Sequence, residues 1–411
     1  MVKLRWLEVT RFRNLAPGCR LEFDDGVNLL LGRNGTGKTN LLELISMALR
    51  LDFSGLEGEA AELSYSVWEP EYDLEFVVET RVAEPDPAVA GHSAQPRTDV
   101  FCQVRVLARD GSELGLARVA PGALEILPKR GESSREARTT AGQNVAAAVL
   151  AGIRGVVGRE RSPLLPMLDP VYRFDEGLHA FSAMHGLAPS DRSACSPPGA
   201  RLQVWVRSPA TMEFSSGYCS PRLLHEALDL LGAGPEPVIT FPEEIAELLG
   251  VAEVVWKPRL LEEKTKDSVR SYLYEQFSIG CRSRAGDYWS DDRLSFGQKR
   301  LLAWWYYLSV SQVFAIADEL VNGFHRDWIE VALRMIGGRQ AFLTSQNPLL
   351  LDFHSAESAE QAERMFVRCS LDEQNRWAWR NFSASEAQSF VGDLESQALQ
   401  VSEILRRRGL W

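Results

Sequence analysis

The sequence lacks the features that define several large protein classes. It has no run of about 18 apolar residues, so it predicts no membrane-spanning helix. Its six cysteines form no C-x-x-C pair and its six histidines have no ligand spacing, which argues against a zinc site and a disulfide framework. It also has no apolar signal core near its start, no sustained heptad pattern and no internal repeat. We therefore expect a cytoplasmic protein with reduced thiols and no membrane contact.

What the sequence does have is the composition of a globular protein. Its 411 residues include 45 Lys+Arg and 56 Asp+Glu, which gives a net charge of −11, and 45 % are hydrophobic. This is enough apolar side chain to bury a core. The net acidity argues against a uniformly basic nucleic-acid wrapper and leaves open a local basic groove. At this length we expect one domain with an insertion, or two to three domains.

The N-terminal segment predicts a strand, a glycine-rich loop and a helix in succession. Residues 27–31 form a short apolar run, and a helical apolar repeat starts at Leu41. Between them, residues 32–39 read GRNGTGKT and match G-x-x-x-x-G-K-S/T. The glycines let backbone N–H groups converge on phosphate, Lys38 reaches the β- and γ-phosphates, and the Thr39 hydroxyl is placed for Mg²⁺. The alternative is a glycine-rich turn with a solvated lysine.

Two weaker patterns lie in the last third of the chain. Asp318 and Glu319 follow a buried-strand pattern, so one carboxylate could hold Mg²⁺ and the other could polarise water. A plain turn at a strand end is the alternative. Ser295 and Gly297, within LSFGQ at residues 294–298, precede a helical pattern and could bind an anion at the helix N-terminus. From the local pattern alone, an ordinary N-cap explains Ser295 better.

Together, these three patterns resemble those of the ATP-binding-cassette (ABC) ATPases. Residues 32–39 are similar to the Walker A motif, and residues 314–319 are similar to Walker B. Residues 294–298 resemble the L-S-G-G-Q signature, with Phe296 in place of the first glycine. The resemblance covers residues 1–50 and 285–355 with specific motifs.

Within that superfamily, the chain resembles the SMC-type and RecF-type branch. Three stretches carry this resemblance: FRN at residues 12–14, the extension of the phosphate loop as GRNGTGKTNLLE, and DELVNGFH at residues 318–325. Leu320 and Val321 depart from the pattern of that branch, which has D-E-P-E-N-G-L-H there.

The resemblance implies a nucleotide site shared by two subunits, with Ser295 of one subunit contacting the phosphate held by Lys38 of the other. Catalytic roles are implied for Glu319, Lys38, Ser295 and Gln346, and Mg²⁺ would be held by Thr39 and Asp318. The implied nucleotide-binding residues are Arg13, Asn34, Gly35, Thr36, Gly37, Lys38, Thr39, Asn40, Ser295, Gly297 and Gln298.

Gln346 stands where the branch usually has a switch histidine, within TSQNP at residues 344–348. A glutamine can form a hydrogen bond to a γ-phosphate, but it cannot titrate. The substitution therefore predicts slow hydrolysis. The branch also has a metal-sensing glutamine, for which Gln103 and Gln143 are both candidates.

The expected fold is an α/β P-loop ABC-ATPase head, with a mostly parallel sheet and an antiparallel sheet from residues 1–25 and 72–107. Residues 1–110 and 286–411 would form the head, and residues 111–285 a largely helical insertion. Lys38 and Ser295 are 257 residues apart, an interval much longer than in transporter ATPases and without the coiled-coil arms of SMC proteins.

This spacing points, through the resemblance, to the compact bacterial ATPases, many of which belong to anti-phage defence systems. The implied function is an ATPase that binds ATP and Mg²⁺, forms a head-to-head dimer on ATP, and regulates a separate effector protein such as a nuclease. One alternative is a RecF-like DNA-repair ATPase that clamps DNA. Another is an ATP-locked scaffold that hardly hydrolyses.

Overall fold

The structure is a computed structural model, and its described residues form two compact units. The first unit comprises Met1–Arg173, Gln312–Leu320 and Gly338–Trp411, and the second comprises Phe174–Ser311 and Val321–Gly337. The predicted division into residues 1–110, 111–285 and 286–411 stays a prediction. The described residues are 2–56, 58–82, 98–128, 135–138, 145–158, 173–174, 201–208, 211–215, 239–266, 269–290, 293–311, 313–396 and 399–410.

An eight-stranded antiparallel sheet forms much of the first unit, in the order β2-β1-β4-β5-β6-β7-β8-β9. One face is buried because apolar residues alternate along the strands, as Leu74, Phe76 and Val78 do on β5. The predicted antiparallel sheet is thus confirmed, and it extends further along the chain than expected. Its strands are β1 (Lys3–Arg11), β2 (Cys19–Glu22), β4 (Ala61–Trp68), β5 (Tyr72–Val82), β6 (Thr98–Ala108), β7 (Glu113–Ala120), β8 (Ala123–Pro128) and β9 (Arg135–Arg138).

A five-stranded, mostly parallel sheet forms the rest of the strand structure of this unit, in the order β16-β17-β3-β18-β19. Three of its strands, β3, β16 and β17, are almost entirely buried, which explains their mostly apolar sequences. The first four strands are parallel and the last is antiparallel. The strands are β3 (Val27–Leu31), β16 (Phe314–Ala317), β17 (Gln340–Thr344), β18 (Phe366–Leu371) and β19 (Trp377–Asn381).

Helices complete the first unit, and α1 (Lys38–Arg50) follows the central strand β3. Tyr65 of β4 stacks on Phe76 and donates its hydroxyl to the carbonyl of Ala48, so the helix is tied to the antiparallel sheet. Each fully buried side chain of this size contributes about 1.5–3 kcal/mol to the core. The other helices are α2 (Val145–Val157), α6 (Pro348–Asp352), α7 (Ala359–Met365), α8 (Ala384–Ser396) and α9 (Val401–Arg407).

The second unit has a six-stranded antiparallel sheet in the order β11-β10-β14-β13-β12, and β15 also pairs with β14. Its helices Phe296–Val310 and Arg326–Arg334 are tied together by Trp304, which is fully buried and donates its indole N–H to the carbonyl of Ala332 at 2.9 Å. The elements are β10 (Arg201–Ser208), β11 (Thr211–Ser215), β12 (Ile239–Thr240), α3 (Glu243–Leu248), β13 (Glu253–Lys266), β14 (Val269–Arg282), β15 (Tyr288–Ser290), α4 (Phe296–Val310) and α5 (Arg326–Arg334).

The expectation of a largely helical insertion at residues 111–285 is wrong for the described residues, which form mainly strands. Among the described residues of this stretch, α2 and α3 are the only helices, while β13 and β14 are strands of 14 residues each that pair with one another. The sequence pattern favours mainly helix over residues 222–277; residues 222–238 lie outside the described residues, and the described part of residues 239–277 forms strands apart from α3. β13 and β14 are strands because they pair with each other, since strand formation depends on cross-strand neighbours more than on local preference.

Two expected features of the whole chain can be compared with the described residues. Cys19, Cys102 and Cys369 are buried and form no disulfide, and burial raises the pKa of Cys19 and Cys102 to about 12. These thiols therefore stay protonated and unreactive. Within the described ranges, no helix is long and apolar enough to cross a membrane.

Candidate functional site

The phosphate loop lies at the carboxyl end of β3, between β17 and β18 in the sheet. Gly35 and Gly37 take up left-handed backbone conformations, with φ of 82° and 83°. Gly37 is also the N-cap of α1 and provides no side-chain hydrogen bond to it. The first N–H groups of the helix are thus available to an acceptor from outside, as in anion-binding helix N-termini.

Lys38 folds back over this loop and is only 8 % exposed. Its Nζ atom donates to the carbonyl oxygens of Gly32 at 2.8 Å and Arg33 at 3.1 Å. Thr36 closes the same turn, because its hydroxyl donates to the Arg33 carbonyl at 2.7 Å. Two carbonyls therefore hold the ammonium group at the loop. It can exchange these two acceptors for phosphate oxygens.

The structure brings together the two residues predicted to hold a metal. The hydroxyl of Thr39, on α1, donates to Oδ2 of Asp318 at 2.5 Å. Thr344, at the end of β17, donates its hydroxyl to Oδ1 of the same carboxylate. A hydroxyl and a carboxylate are the hard oxygen donors that Mg²⁺ prefers, so these residues fit that ion.

Glu319 follows Asp318 in a strained backbone conformation, with φ of 50°. For a residue with a side chain, this conformation costs about 1–2 kcal/mol. Two hydrogen bonds hold it: its N–H donates to Thr344 Oγ1 at 2.9 Å, and its Oε2 accepts from the Gln346 N–H at 3.0 Å. The structure thus joins Glu319 to Gln346, through the backbone of Gln346. Sequence reasoning gave no role to Thr344, although it begins the TSQNP stretch.

Arg13, predicted to contact phosphate, is paired with acidic side chains. Its guanidinium donates to Glu43 Oε2 at 2.5 Å, to Glu59 Oε2 at 2.9 Å and to Asn40 Oδ1 at 2.5 Å. The hydrogen bond with Glu43 is the main reason that the pKa of Arg13 is raised. A phosphate would have to compete with two carboxylates for this cation, and the role of Arg13 stays a prediction, as do those of exposed Asn34 and of Asn40.

Two tryptophans that the sequence reasoning missed also contact the phosphate loop. Trp377 and Trp379, both on β19, donate their indole N–H groups to the carbonyls of Gly35 and Thr36, each at 3.2 Å. The only sequence signal is the alternation of tryptophans in WAW, which is typical of a strand but does not indicate what the strand contacts.

The signature residues Ser295, Gly297 and Gln298 lie in the second unit, at the start of α4. Ser295 Oγ accepts from the Gln298 N–H at 3.3 Å, and Gln298 Oε1 accepts from the Ser295 N–H at 2.8 Å, which completes a capping box. Gly297 packs so closely that a Cβ there would lie 2.3 Å from the Gly323 carbonyl. Phe296 is 65 % exposed. The local interpretation of Ser295 as an N-cap is thus confirmed, and its role toward nucleotide stays a prediction.

Of the two candidates for the metal-sensing glutamine, Gln103 lies among the described residues. Gln103 lies on β6, and its Oε1 accepts a hydrogen bond from Arg118 on the neighbouring strand. Gln143 lies outside the described residues. In the part of the chain that is described, no group of three or more His, Cys, Asp and Glu side chains could hold a metal ion.

Comparisons with known proteins identify the segment around the phosphate loop. A family model described as an AAA domain matches residues 7–80. The RecF DNA replication and repair protein of Deinococcus radiodurans is 52 % identical over 48 residues, which cover 12 % of this chain and 13 % of that protein. The Rad50 DNA double-strand break repair ATPase of Archaeoglobus fulgidus is 44 % identical over 48 residues, or 12 % of this chain and 5 % of that protein. The matches therefore span a small part of these relatives.

Among solved structures, the SMC head domain from Thermotoga maritima has a TM-score of 0.38 and 12 % identity, covering 93 % of this chain and 99 % of that one. A TM-score this low does not establish a shared fold, so the fold rests on the strand order and the phosphate loop at the end of β3. The comparisons thus show that the segment around the phosphate loop, residues 7–80, is similar to an AAA domain and, over 48 residues, to RecF and Rad50 proteins.

Proposed function

We propose that this chain binds Mg-ATP at the phosphate loop and hydrolyses it slowly. The observation that carries the proposal is the convergence of Thr39, Asp318, Glu319 and Thr344, which come from one helix and two strand ends. A phosphate loop alone accounts for binding. Hydrolysis also needs a carboxylate beside the transferred phosphate, and Glu319 is held next to this cluster.

Each residue has a task that follows from its chemistry. The Lys38 ammonium exchanges its two carbonyl partners for β- and γ-phosphate oxygens. Thr39 and Asp318 hold Mg²⁺, which neutralises phosphate charge when bound. Glu319 orients the attacking water and accepts its proton, a role worth about 10²–10⁴-fold in rate. Gln346 can form a hydrogen bond to the γ-phosphate but cannot relay a proton, which fits a slow turnover.

We further propose that ATP closes a head-to-head dimer in which Ser295 of one copy meets the nucleotide of the other. The capping box occupies the acceptor side of the Ser295 hydroxyl, and the hydroxyl hydrogen remains a donor for phosphate. The test is the solution mass of Glu319→Gln by light scattering, with and without Mg-ATP, alongside the turnover of the wild type. We expect monomer without ATP, dimer with ATP, and measurable wild-type hydrolysis.

The matched variant for this experiment carries Ser295→Arg in the Glu319→Gln background, which places a bulky cation at the proposed contact. It should bind ATP normally and stay monomeric. A mass that ignores ATP in Glu319→Gln would contradict the dimer switch, and an absence of ATP binding by the wild type would contradict the nucleotide site itself.

For the biological role, we propose a regulator in a bacterial anti-phage defence system with a separate effector, such as a nuclease. The support is the cluster of Thr39, Asp318 and Glu319 beside the phosphate loop, in a chain whose described residues hold no group of three or more His, Cys, Asp and Glu side chains for a second, metal-based chemistry. Phage plating on cells that carry the gene with its neighbours tests the role. Lys38→Ala should abolish protection, and an unchanged plating efficiency would contradict the proposal.

A RecF-like DNA clamp is the second candidate, favoured by the match to proteins named for DNA replication and repair. One surface argues against it: on the outer face of β5–β8, Arg105 and Arg118 are paired with Glu75 and Glu125 and thus offer little free positive charge. Binding to duplex DNA that is ATP-dependent and falls steeply with salt would favour the clamp. An ATP-locked scaffold, the third candidate, would bind ATP and dimerise without turnover.

A further inference from the structure

The tryptophans of β19 act on two consecutive peptides of the phosphate loop. The Nε1 atoms of Trp377 and Trp379 each lie 3.2 Å from a loop carbonyl, that of Gly35 and that of Thr36 respectively. The two indoles are stacked, with centroids 6.0 Å apart and planes 10° apart. Trp379 is 3 % exposed, and Trp377 is partly buried at the loop surface. The paired donors thus match the spacing of adjacent carbonyls.

The direction of these carbonyls determines where the loop N–H groups point. In a trans peptide, the C=O and N–H groups point in opposite directions. The Gly35 carbonyl faces an indole, so the N–H of Thr36 is turned away from β19 and donates a long hydrogen bond, at 3.4 Å, to the Arg33 carbonyl. The Thr36 carbonyl is held in the same way, so the Gly37 N–H is also turned away. Such converging N–H groups are what a phosphate loop offers to an anion.

The ring of Trp377 also sets the position of the loop at Gly37. A Cβ at Gly37 would lie 2.7 Å from the Cδ2 atom of this ring, so the indole packs directly against the glycine backbone. The strand that carries the ring is itself fixed, because the Trp377 N–H donates to the Asn14 carbonyl and the Ala16 N–H donates to the Trp377 carbonyl. The backbone that carries the Trp377 indole is therefore hydrogen-bonded on both sides to residues 14–16.

We propose that Trp377 and Trp379 are positioning residues of the nucleotide site, which hold the phosphate loop with its N–H groups toward the ligand. This inference rests on the proposed nucleotide binding. A loop held in its binding conformation loses less conformational freedom when phosphate binds, and affinity rises accordingly. Because the tryptophans act on the loop backbone, they should affect any ligand that carries the polyphosphate, with or without a base.

The test uses Trp377→Phe and Trp379→Phe, which keep an aromatic ring and remove the indole donor. Binding of Mg-ATPγS and of Mg-tripolyphosphate to the full chain is measured by calorimetry. One neutral hydrogen bond corresponds to an increase of about 2- to 10-fold in Kd. We expect this increase for both ligands with either variant. The matched control is Trp6→Phe, on β1, where the indole stacks with Arg20 and not with the loop; its Kd should be unchanged.

The outcomes separate this inference from the proposed function. If the wild type binds neither ligand, both proposals fail. If the wild type binds and the two variants bind equally well, nucleotide binding stands and the positioning role is overturned. A loss confined to ATPγS also overturns it, because it would mean that the rings contact the base. Should buried Trp379→Phe fail to fold, the partly buried Trp377→Phe decides alone.

Discussion

The phosphate loop and the LSFGQ stretch both place small residues before a helix, yet their hydrogen bonds are satisfied in opposite ways. At α4, Ser295 and Gln298 complete each other's hydrogen bonds within four residues. At α1, Gly37 offers no side-chain cap, and the groups around the loop come from strands far along the chain. A pattern that is complete by itself has a sufficient local explanation. The phosphate loop lacks such a local explanation, because its contacts come from residues far along the chain. It is therefore the stronger indication of a binding site.

The largest effect on ATP affinity is expected from Lys38→Ala, in the phosphate loop. Removing a charged donor to phosphate should weaken ATP binding by about 10- to 100-fold, as a charge-assisted hydrogen bond is worth about 1.5–3 kcal/mol. Lys3→Ala is the matched control, because the Lys3 ammonium also donates to two backbone carbonyls, those of Asp25 and Gly338. Equal losses of ATP affinity in the two variants, measured by calorimetry, would break the comparison.

A second variant, Thr344→Val, tests whether the distant partners act in catalysis. It keeps the shape of the side chain and removes the hydroxyl that holds both Asp318 and the Glu319 N–H. We expect turnover to fall by about 10-fold, with a smaller change in ATP affinity, since about 1–3 kcal/mol of orientation is lost at Glu319.

Thr80→Val is the control for that variant. Thr80 is fully buried in the antiparallel sheet, and its hydroxyl likewise accepts a backbone N–H, that of Ala61, and donates to an oxygen. Both substitutions should lower the free energy of unfolding similarly, by about 1–3 kcal/mol. Only Thr344→Val should slow hydrolysis. A turnover that falls equally in both would reduce Thr344 to a structural residue.

The LSFGQ stretch of residues 294–298 is tested by Ser295→Ala. Loss of the N-cap should cost about 1 kcal/mol of stability. Ser358→Ala is the matched control, because Ser358 Oγ accepts from the Gln361 N–H at the start of α7. The Gln361 side-chain oxygen in turn accepts from the backbone N–H of Glu357. If Ser295 also meets the nucleotide of a second copy, only Ser295→Ala weakens the ATP-dependent dimer seen by light scattering. Identical behaviour would leave Ser295 as a cap and nothing more.

The same contrast explains how far the sequence could predict the molecule. The unit of β3, loop and α1 was predictable because its pattern is local, and the acids after β16 followed from a short buried strand. The contact of Trp379 with the phosphate loop was not predictable, because 343 residues separate it from Thr36 and only the tertiary fold brings them together. The long hairpin of β13 and β14 was missed for a related reason. Its two strands form because they pair with each other, and the hydrophobic periodicity of either segment alone does not reveal that pairing.

The last prediction concerns acid stability and His354, which lies just after α6. Its Nε2 atom is buried and, within the described ranges, has no hydrogen-bond partner, and burial lowers its pKa from 6.5 to about 4. Below about pH 6.5 the unfolded chain takes up a proton that the folded chain resists until about pH 4, so stability is full above this window and falls as the pH drops through it. Between pH 7 and pH 5 the loss is about 2 kcal/mol.

The measurement for this prediction is urea unfolding of the wild type and of His354→Asn across that pH range. The variant should lose most of the acid dependence, because an amide does not titrate, whereas His325→Asn, at an exposed position, should keep it. The slope of stability with pH isolates the imidazole from any packing change, which would shift the whole curve without tilting it. A wild-type curve that is flat between pH 7 and pH 5 would mean that the folded chain admits the proton, and hence that the site around His354 opens to water more readily than its packing indicates.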